Sequence, residues 1–163
     1  MHYYIDGYNL LFSVIHTEDT LEKRRETIIQ LIQKHLIPLH VDATLVFDSK
    51  QEDIEFHDID TLRIVFTKKN LTADQYILHQ LELSSNPRLE TVVTSDKSLA
   101  HLVKNLNANT LSITSFIEKI KKIDEKKKRS PSFLKAFTDT DDNILRLVKI
   151  FEKRMKENED DYL

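Results

Sequence analysis

The sequence predicts an α/β domain of three layers, with a central, mainly parallel sheet of about five strands and helices on both faces. Two observations carry this. Short β-branched and aromatic runs alternate with stretches of helical period along residues 1–123, which is how a parallel sheet crossed by helices reads. Acids also recur just past the ends of those runs, where open parallel sheets place their ligand sites.

Residues 2–5 (HYYI) are short, aromatic and β-prone, and a polar cluster follows, as expected of a first strand. Over 20–37 the apolar residues Leu21, Ile28, Leu31, Ile32 and Leu36 keep helical spacing against a charged face. Thr20 is the expected N-cap, Glu22 and Glu26 supply early acids, and Pro38 stops the helix. ATLVFD (43–48) and TLRIVFT (61–67) read as the second and third strands. Residues 72–85 form a predicted helix with Thr72 as its cap and Tyr76, Ile77 and Leu81 along its apolar stripe. ETVVTS (90–95) is the fourth strand, 96–108 a helix, and TLSI (110–113) the fifth strand. A helix over 114–123, capped by Thr114 or Ser115, closes the domain. A basic, weakly hydrophobic linker follows over 124–137, broken by Pro131. Residues 138–163 read as a C-terminal helix and tail packed on the same domain, with acids at its start and bases later.

A chain of 163 residues suits one domain and can bury a core without disulfides or a structural metal. The formal net charge of -3 means that any nucleic acid must be met by a local patch, since there is no overall positive field. The absence of cysteine excludes thiol catalysis, zinc–thiolate sites and iron–sulfur clusters, and fits a reducing compartment. No apolar run approaches the ~18–20 residues that span a bilayer. The N-terminus lacks the basic-then-apolar pattern of a secretory signal. A cytoplasmic location is the expectation.

The acids point to chemistry. Asp6 follows the first strand, Asp48 the second and Asp96 the fourth, while Asp74 lies in the first turn of the helix after the third. In a parallel sheet these positions share one edge, so the carboxylates should converge. Close carboxylates repel one another unless some are protonated or a cation is present. Oxygen ligands without Cys or His select Mg²⁺ or Mn²⁺, and such a cluster supports metal-assisted phosphodiester hydrolysis. Taken singly, each of these aspartates is as readily a helix cap or turn residue, Asp96 above all. The pairs Asp141/Asp142 and Asp160/Asp161 read as a helix start and a solvated tail.

Gly7 is the only glycine, and it stands between Asp6 and Tyr8, two residues before Asn9. The expectation is a sharp turn with φ > 0, or a close approach of backbone or substrate phosphate, that a Cβ would block. Gly7→Ala should then harm activity more than stability.

Four blocks together resemble a known family. YYIDGYNLLF resembles the opening of the YacP-like NYN domain family, with its Asp-Gly-Tyr-Asn signature. VFDS (46–49), VFTKKNLTADQYI (65–77) and VVTSDKSLAHLVKNLNA (92–108) resemble the family's later blocks, in the family's order. The resemblance implies a PIN-like nuclease fold whose acidic, Mg²⁺-dependent cleft cuts RNA. One branch of the family is a ribosome-associated endoribonuclease acting on messenger RNA. By position, it implies catalytic roles for Asp6, Asn9, Asp74 and Asp96, with Asp6, Asp74, Asp96 and less directly Asp48 holding the metal. Two departures stand out. Lys69, Asn70 and Leu71 occupy a loop where the family carries glycine, and Asn107 replaces the glycine that ends the helix after the TSD motif. Asparagine tolerates the left-handed conformation, so the second change is mild.

Asn9 can orient an acid, water or phosphate without adding charge. Ser95 is a candidate for a phosphate or a metal-bound water, and equally for a cap. Lys68, Lys69 and Lys97 flank the predicted edge as candidate phosphate contacts, although each alone reads as a solvated charge. Gly7 and Tyr8 complete the candidate substrate contacts; Tyr8 suits base stacking, and packing beneath the first loop suits it better. The basic stretch 119–129 is a candidate for docking on RNA or a ribosome, or a soluble linker. The seven histidines show no metal-ligand spacing. The reading that results is a Mg²⁺- or Mn²⁺-dependent endoribonuclease, with ribosome-bound mRNA as the substrate context. The alternative is a non-catalytic RNA- or ribosome-binding module that keeps the nuclease fold. An aspartyl-nucleophile phosphohydrolase needs an Asp-x-Asp pair where this chain has Asp6-Gly7-Tyr8, and a G-x-G-x-x-G loop is impossible with one glycine.

Overall fold

The structure, a computed structural model, describes residues 1–37 and 40–128. The chain divides into a compact unit, Met1–Lys121, and a second, Lys122–Leu163, of which only the end of one helix is described. The elements of the first unit run β1 (His2–Asp6), α1 (Gly7–Val14), α2 (Leu21–Leu36), β2 (Asp42–Gln51), β3 (Glu55–Ile59), β4 (Leu62–Lys68), α3 (Ala73–Leu83), β5 (Glu90–Val93), α4 (Lys97–Asn105) and β6 (Asn109–Leu111). The last helix, α5 (Ile113–Lys128), runs on into the stretch expected to begin a linker at 124. The remainder of that linker and the helix expected over 138–163 lie outside the described residues.

The sheet has six strands in the order β3-β4-β2-β1-β5-β6. All neighbours are parallel except β3 and β4, which form an antiparallel hairpin. The parallel strands are the expected ones, and β3 is the addition. Its sequence, EFHDI, is exposed throughout, so no buried face marks it as a strand; pairing with β4 makes it one. β1 is flanked by β2 on one side and β5 on the other, so the strand order reverses there. Such a switch point opens a crevice at the carboxyl ends of the strands.

Alternate residues of the strands feed two cores. One joins Ile5, Leu45, Phe47 and Ile64 with Leu10 and Leu11 of α1, Ile28 and Ile32 of α2, and Phe116 of α5. The other joins Val46, Val65 and Val92 with Tyr76, Ile77 and Leu81 of α3 and Leu99 and Val103 of α4. Both faces of the sheet are therefore covered, and the three-layer expectation holds.

Local signals explain most helix ends. Thr20 caps α2, accepting from the Lys23 amide. Thr72 and Gln75 form a reciprocal capping box on α3. At α5, Ser112 and not Thr114 or Ser115 accepts the first-turn amide, that of Ser115, because the helix begins earlier than its apolar period suggests. Left-handed backbone falls on His40, Asp60, Asn70 and Asn107. Asn70 and Asn107 thus adopt the conformation glycine would supply, at the two departures noted from the resemblance. Asn107 closes α4 with amides of 107 and 108 turned back to Lys104 and Val103. No helix among the described residues is long and apolar enough to cross a membrane.

Candidate active site

Three helices begin at the carboxyl edge of the sheet, and an aspartate serves the start of each. Asp6 ends β1 and caps α1, its Oδ1 accepting from the Asn9 amide at 3.1 Å. Asp96 follows β5 and caps α4, its Oδ1 accepting from Ser98 at 2.7 Å and Leu99 at 3.1 Å. Asp48, on β2, accepts from the Ala73 amide, the first of α3, at 2.6 Å. A carboxylate at a helix N-terminus satisfies an orphan amide and meets the positive end of the helix dipole. The commonplace role of these aspartates is therefore real.

It does not exhaust them. In each of the three, the bonds to amides fall on one oxygen, Oδ1. Asp74, in the first turn of α3, makes no hydrogen bond among the described residues. Burial first, and then the charges of Asp74, Asp48 and Asp96, push the Asp6 carboxyl up to about 6 against the opposing hydrogen bond from the Asn9 amide. Asp74 is raised by burial first, then by Asp96 and Asp48. Asp6 and Asp74 thus sense the charges of the neighbouring aspartates at this edge. Convergence stops short of a closed cage, however: among the described residues no three Asp, Glu or His side chains are grouped so as to hold a metal ion. The donor chemistry fits a hard divalent cation that keeps most of its waters and takes one or two carboxylates directly, the usual manner of Mg²⁺.

Asn9 ties the edge together. Its Oδ1 accepts the Ser95 amide at 2.8 Å, joining the first turn of α1 to the loop that delivers Asp96. One residue thereby relates the Asp6 helix to the Asp96 helix. Ser95 itself is exposed. Lys68 ends β4, Lys69 follows it and Lys97 opens α4, so all three stand at the acidic edge and are exposed. From the basic stretch, Lys119 is used internally, its Nζ donating to the Tyr3 hydroxyl at 2.6 Å and lying over that ring.

Gly7 departs from expectation. It is the first residue of α1, buried, and its φ is not positive. The need for glycine is steric. A Cβ there would lie 2.6 Å from Cδ1 and Cε1 of Phe47 and 2.7 Å from the Val46 carbonyl oxygen. Close approach is therefore the right half of the expectation, but the neighbour is the second strand and not a substrate. Tyr8 is likewise occupied by protein, its ring 5.8 Å from Phe12 and edge-on to Phe47 at 5.2 Å.

With this geometry in hand, comparison with known proteins is decisive. The profile of the YacP-like NYN domain family matches residues 3–160. The chain belongs to that family. Its fold is similar to the crystal structure of Rae1 (YacP) from Bacillus subtilis, with a TM-score of 0.64, 20% identity, and coverage of 98% of this chain and 92% of that one. A single-substitution variant of the same Bacillus subtilis protein aligns with a TM-score of 0.65 and 20% identity over 99% of both chains. No curated protein matches the sequence. The family and the sheet order agree on a PIN-like nuclease fold for this NYN domain, with RNA as the class of substrate the family suggests.

Proposed function

We propose that this YacP-like NYN domain is an endoribonuclease that hydrolyses RNA phosphodiester bonds with the help of Mg²⁺ or Mn²⁺. One observation carries the reading: at the carboxyl edge of the sheet the Asp6 and Asp74 carboxyls are raised, by burial first and then by the charges of neighbouring aspartates. Keeping like charges together without a basic partner is costly, and a cation relieves it. Asp6 and Asp74 would hold the ion, with Asp48 and Asp96 reaching it through water. A divalent cation bound there supplies charge stabilisation for a reacting phosphate and lowers the pKa of water.

The protein's own contribution is placement. Asp74, without an amide partner among the described residues, would take the proton of a water whose oxygen bonds to phosphorus while the P–O bond to the leaving oxygen breaks, the leaving oxygen taking its proton from solvent. Asp96 and Asp48 fix the starts of α4 and α3, and Asn9 sets the spacing between α1 and the Asp96 loop. Lys68, Lys69 and Lys97 steer the phosphate backbone without reading sequence. Messenger RNA on the ribosome, in the cytoplasm, is the substrate context we favour.

A second reading has one observation behind it. Because no three acids among the described residues are grouped so as to hold a metal ion, a non-catalytic RNA- or ribosome-binding module would also accommodate the fold. The test is incubation of single-stranded RNA, free and ribosome-bound, with wild type and Asp74→Asn, with Mg²⁺ or with EDTA. Cleavage that needs both metal and Asp74 supports the nuclease. Intact RNA in every lane, with binding unaffected by Asp74→Asn, supports the binding module.

A further inference from the structure

A row of aromatic rings joined by two arginines lies on the α1–α2 side of the sheet. Phe12 lies one helical turn beyond Tyr8, and the two rings stack at 18°. Tyr8 meets Phe47, and Phe47 stacks on Phe66 at 5.5 Å. Two arginines from the start of α2 lie on this row of rings: Arg24 5.2 Å over Phe12, and Arg25 5.4 Å over Phe66. Arg25 Nη1 also donates to the Tyr8 hydroxyl at 3.3 Å.

Two features do not belong to an ordinary packed surface. Phe12 is 52% exposed although Leu10 and Leu11 beside it are buried. Neither Arg24 nor Arg25 meets a carboxylate among the described residues. Arg24 gives Nη2 to the Ile15 carbonyl at 2.8 Å, while its buried Nε has no partner. The contrast with Arg63 is sharp, for that guanidinium grips Asp58 through two bonds of 2.6 and 3.0 Å. Guanidinium groups held on aromatic faces without a counter-ion keep their full charge for an external anion, and their planar fork suits phosphate.

We propose that Phe12, Arg24 and Arg25 form a subsite for single-stranded RNA. A base stacks on the exposed Phe12 ring, and the adjoining phosphates meet the two guanidinium groups. Tyr8 and Phe47 lie close in sequence to Asp6 and Asp48, but Phe47 is buried and serves as support beneath the exposed Phe12 rather than as contact surface. Base–aromatic stacking accepts any base, so this subsite holds RNA without choosing its sequence. The inference rests on the nucleic-acid reading above and adds the surface that engages the strand.

The test is anisotropy of a short fluorescein-labelled single-stranded RNA titrated with full-length protein in EDTA, at several salt concentrations. Phe12→Ala should weaken binding about tenfold or more with little change in salt dependence, and Phe12→Tyr should restore it. Arg25→Gln should weaken binding and reduce the slope of log K against log salt by about 0.7, one phosphate's share. Asp74→Asn should bind at least as tightly as wild type. Wild-type affinity and slope in both Phe12→Ala and Arg25→Gln would overturn the subsite, as would equal capture of a polyglutamate peptide through the same residues. Should wild type bind RNA through these residues yet cleave none, the nuclease reading fails and the subsite stands. Should cleavage depend on Asp74 while the Phe12 and Arg25 variants bind and cut normally, only the subsite fails.

Discussion

Two regions of the molecule treat aspartate in opposite ways. On the β3–β4 hairpin, Asp58 is exposed and paired through two bonds with Arg63, and that guanidinium holds its carboxyl below the ordinary range. At the carboxyl edge of the sheet, Asp6 and Asp74 are raised, first by burial and then by the charges of other aspartates. The chain has the means to neutralise an acid and uses them on the surface hairpin. At the switch point it uses helix starts to hold acids in place and leaves their mutual repulsion standing. Repulsion retained beside a crevice is what the proposed cation would relieve.

The largest effect expected from breaking this contrast is on activity. Asp74→Asn should cut Mg²⁺-dependent RNA cleavage by about 10²–10⁴-fold, the range for loss of a proton-transfer group, without lowering Tm. Cleavage assays paired with thermal melts check both halves.

The next effect is on stability against pH. The folded Asp6 carboxyl titrates at about 6 against an ordinary 3.8, so the folded state binds its proton more tightly than the unfolded chain does. Its contribution is fully favourable below pH ~4 and is lost as pH rises through ~6, a swing of about 3 kcal/mol at one pKa unit per 1.36 kcal/mol. The raised Asp74 acts in the same direction. Denaturant unfolding in EDTA from pH 4.5 to 7.5 should show this downward slope, and Asp6→Asn, which can still cap α1, should flatten it.

Gly7→Ala sharpens the difference between site and support. With Phe47 and the Val46 carbonyl so near, the added methyl should cost about 1–3 kcal/mol as an overpacked core position, read as a fall in Tm. This reverses the order expected from sequence: stability suffers first, and activity follows only as far as α1 shifts. The smallest effect belongs to the hairpin. Asp58→Asn should leave Tm and cleavage unchanged within error, because an exposed ion pair contributes little.

Much of the architecture was legible because its signals are local. Thr20 and Thr72 announced their helices, β-branched runs announced the parallel strands, and the aspartates at strand ends announced the crevice. The unread parts depend on tertiary context. α1 is short and begins with glycine, so its Leu10 and Leu11 do not declare a period, although Asp6 as a cap was a usable signal. β3 has no buried face and exists through its partner. The need for Gly7 lies in a ring and a carbonyl some forty residues along the chain, which no local reading reveals. Phe12, Arg24 and Arg25 escaped notice because nothing in their spacing shows that they share a surface.

The proposed function requires that the carboxylates at the switch point be kept apart from counter-charges so that a divalent cation can join them. The most direct measurement is thermal unfolding at pH 7.5 with increasing Mn²⁺, for wild type, Asp6→Asn and Asp74→Asn. Wild type should gain Tm saturably with metal, since a ligand bound only by the folded state stabilises it. Both variants should start from a higher metal-free Tm and respond weakly. A wild-type Tm indifferent to Mn²⁺, or variants that respond as wild type does, would contradict the claim.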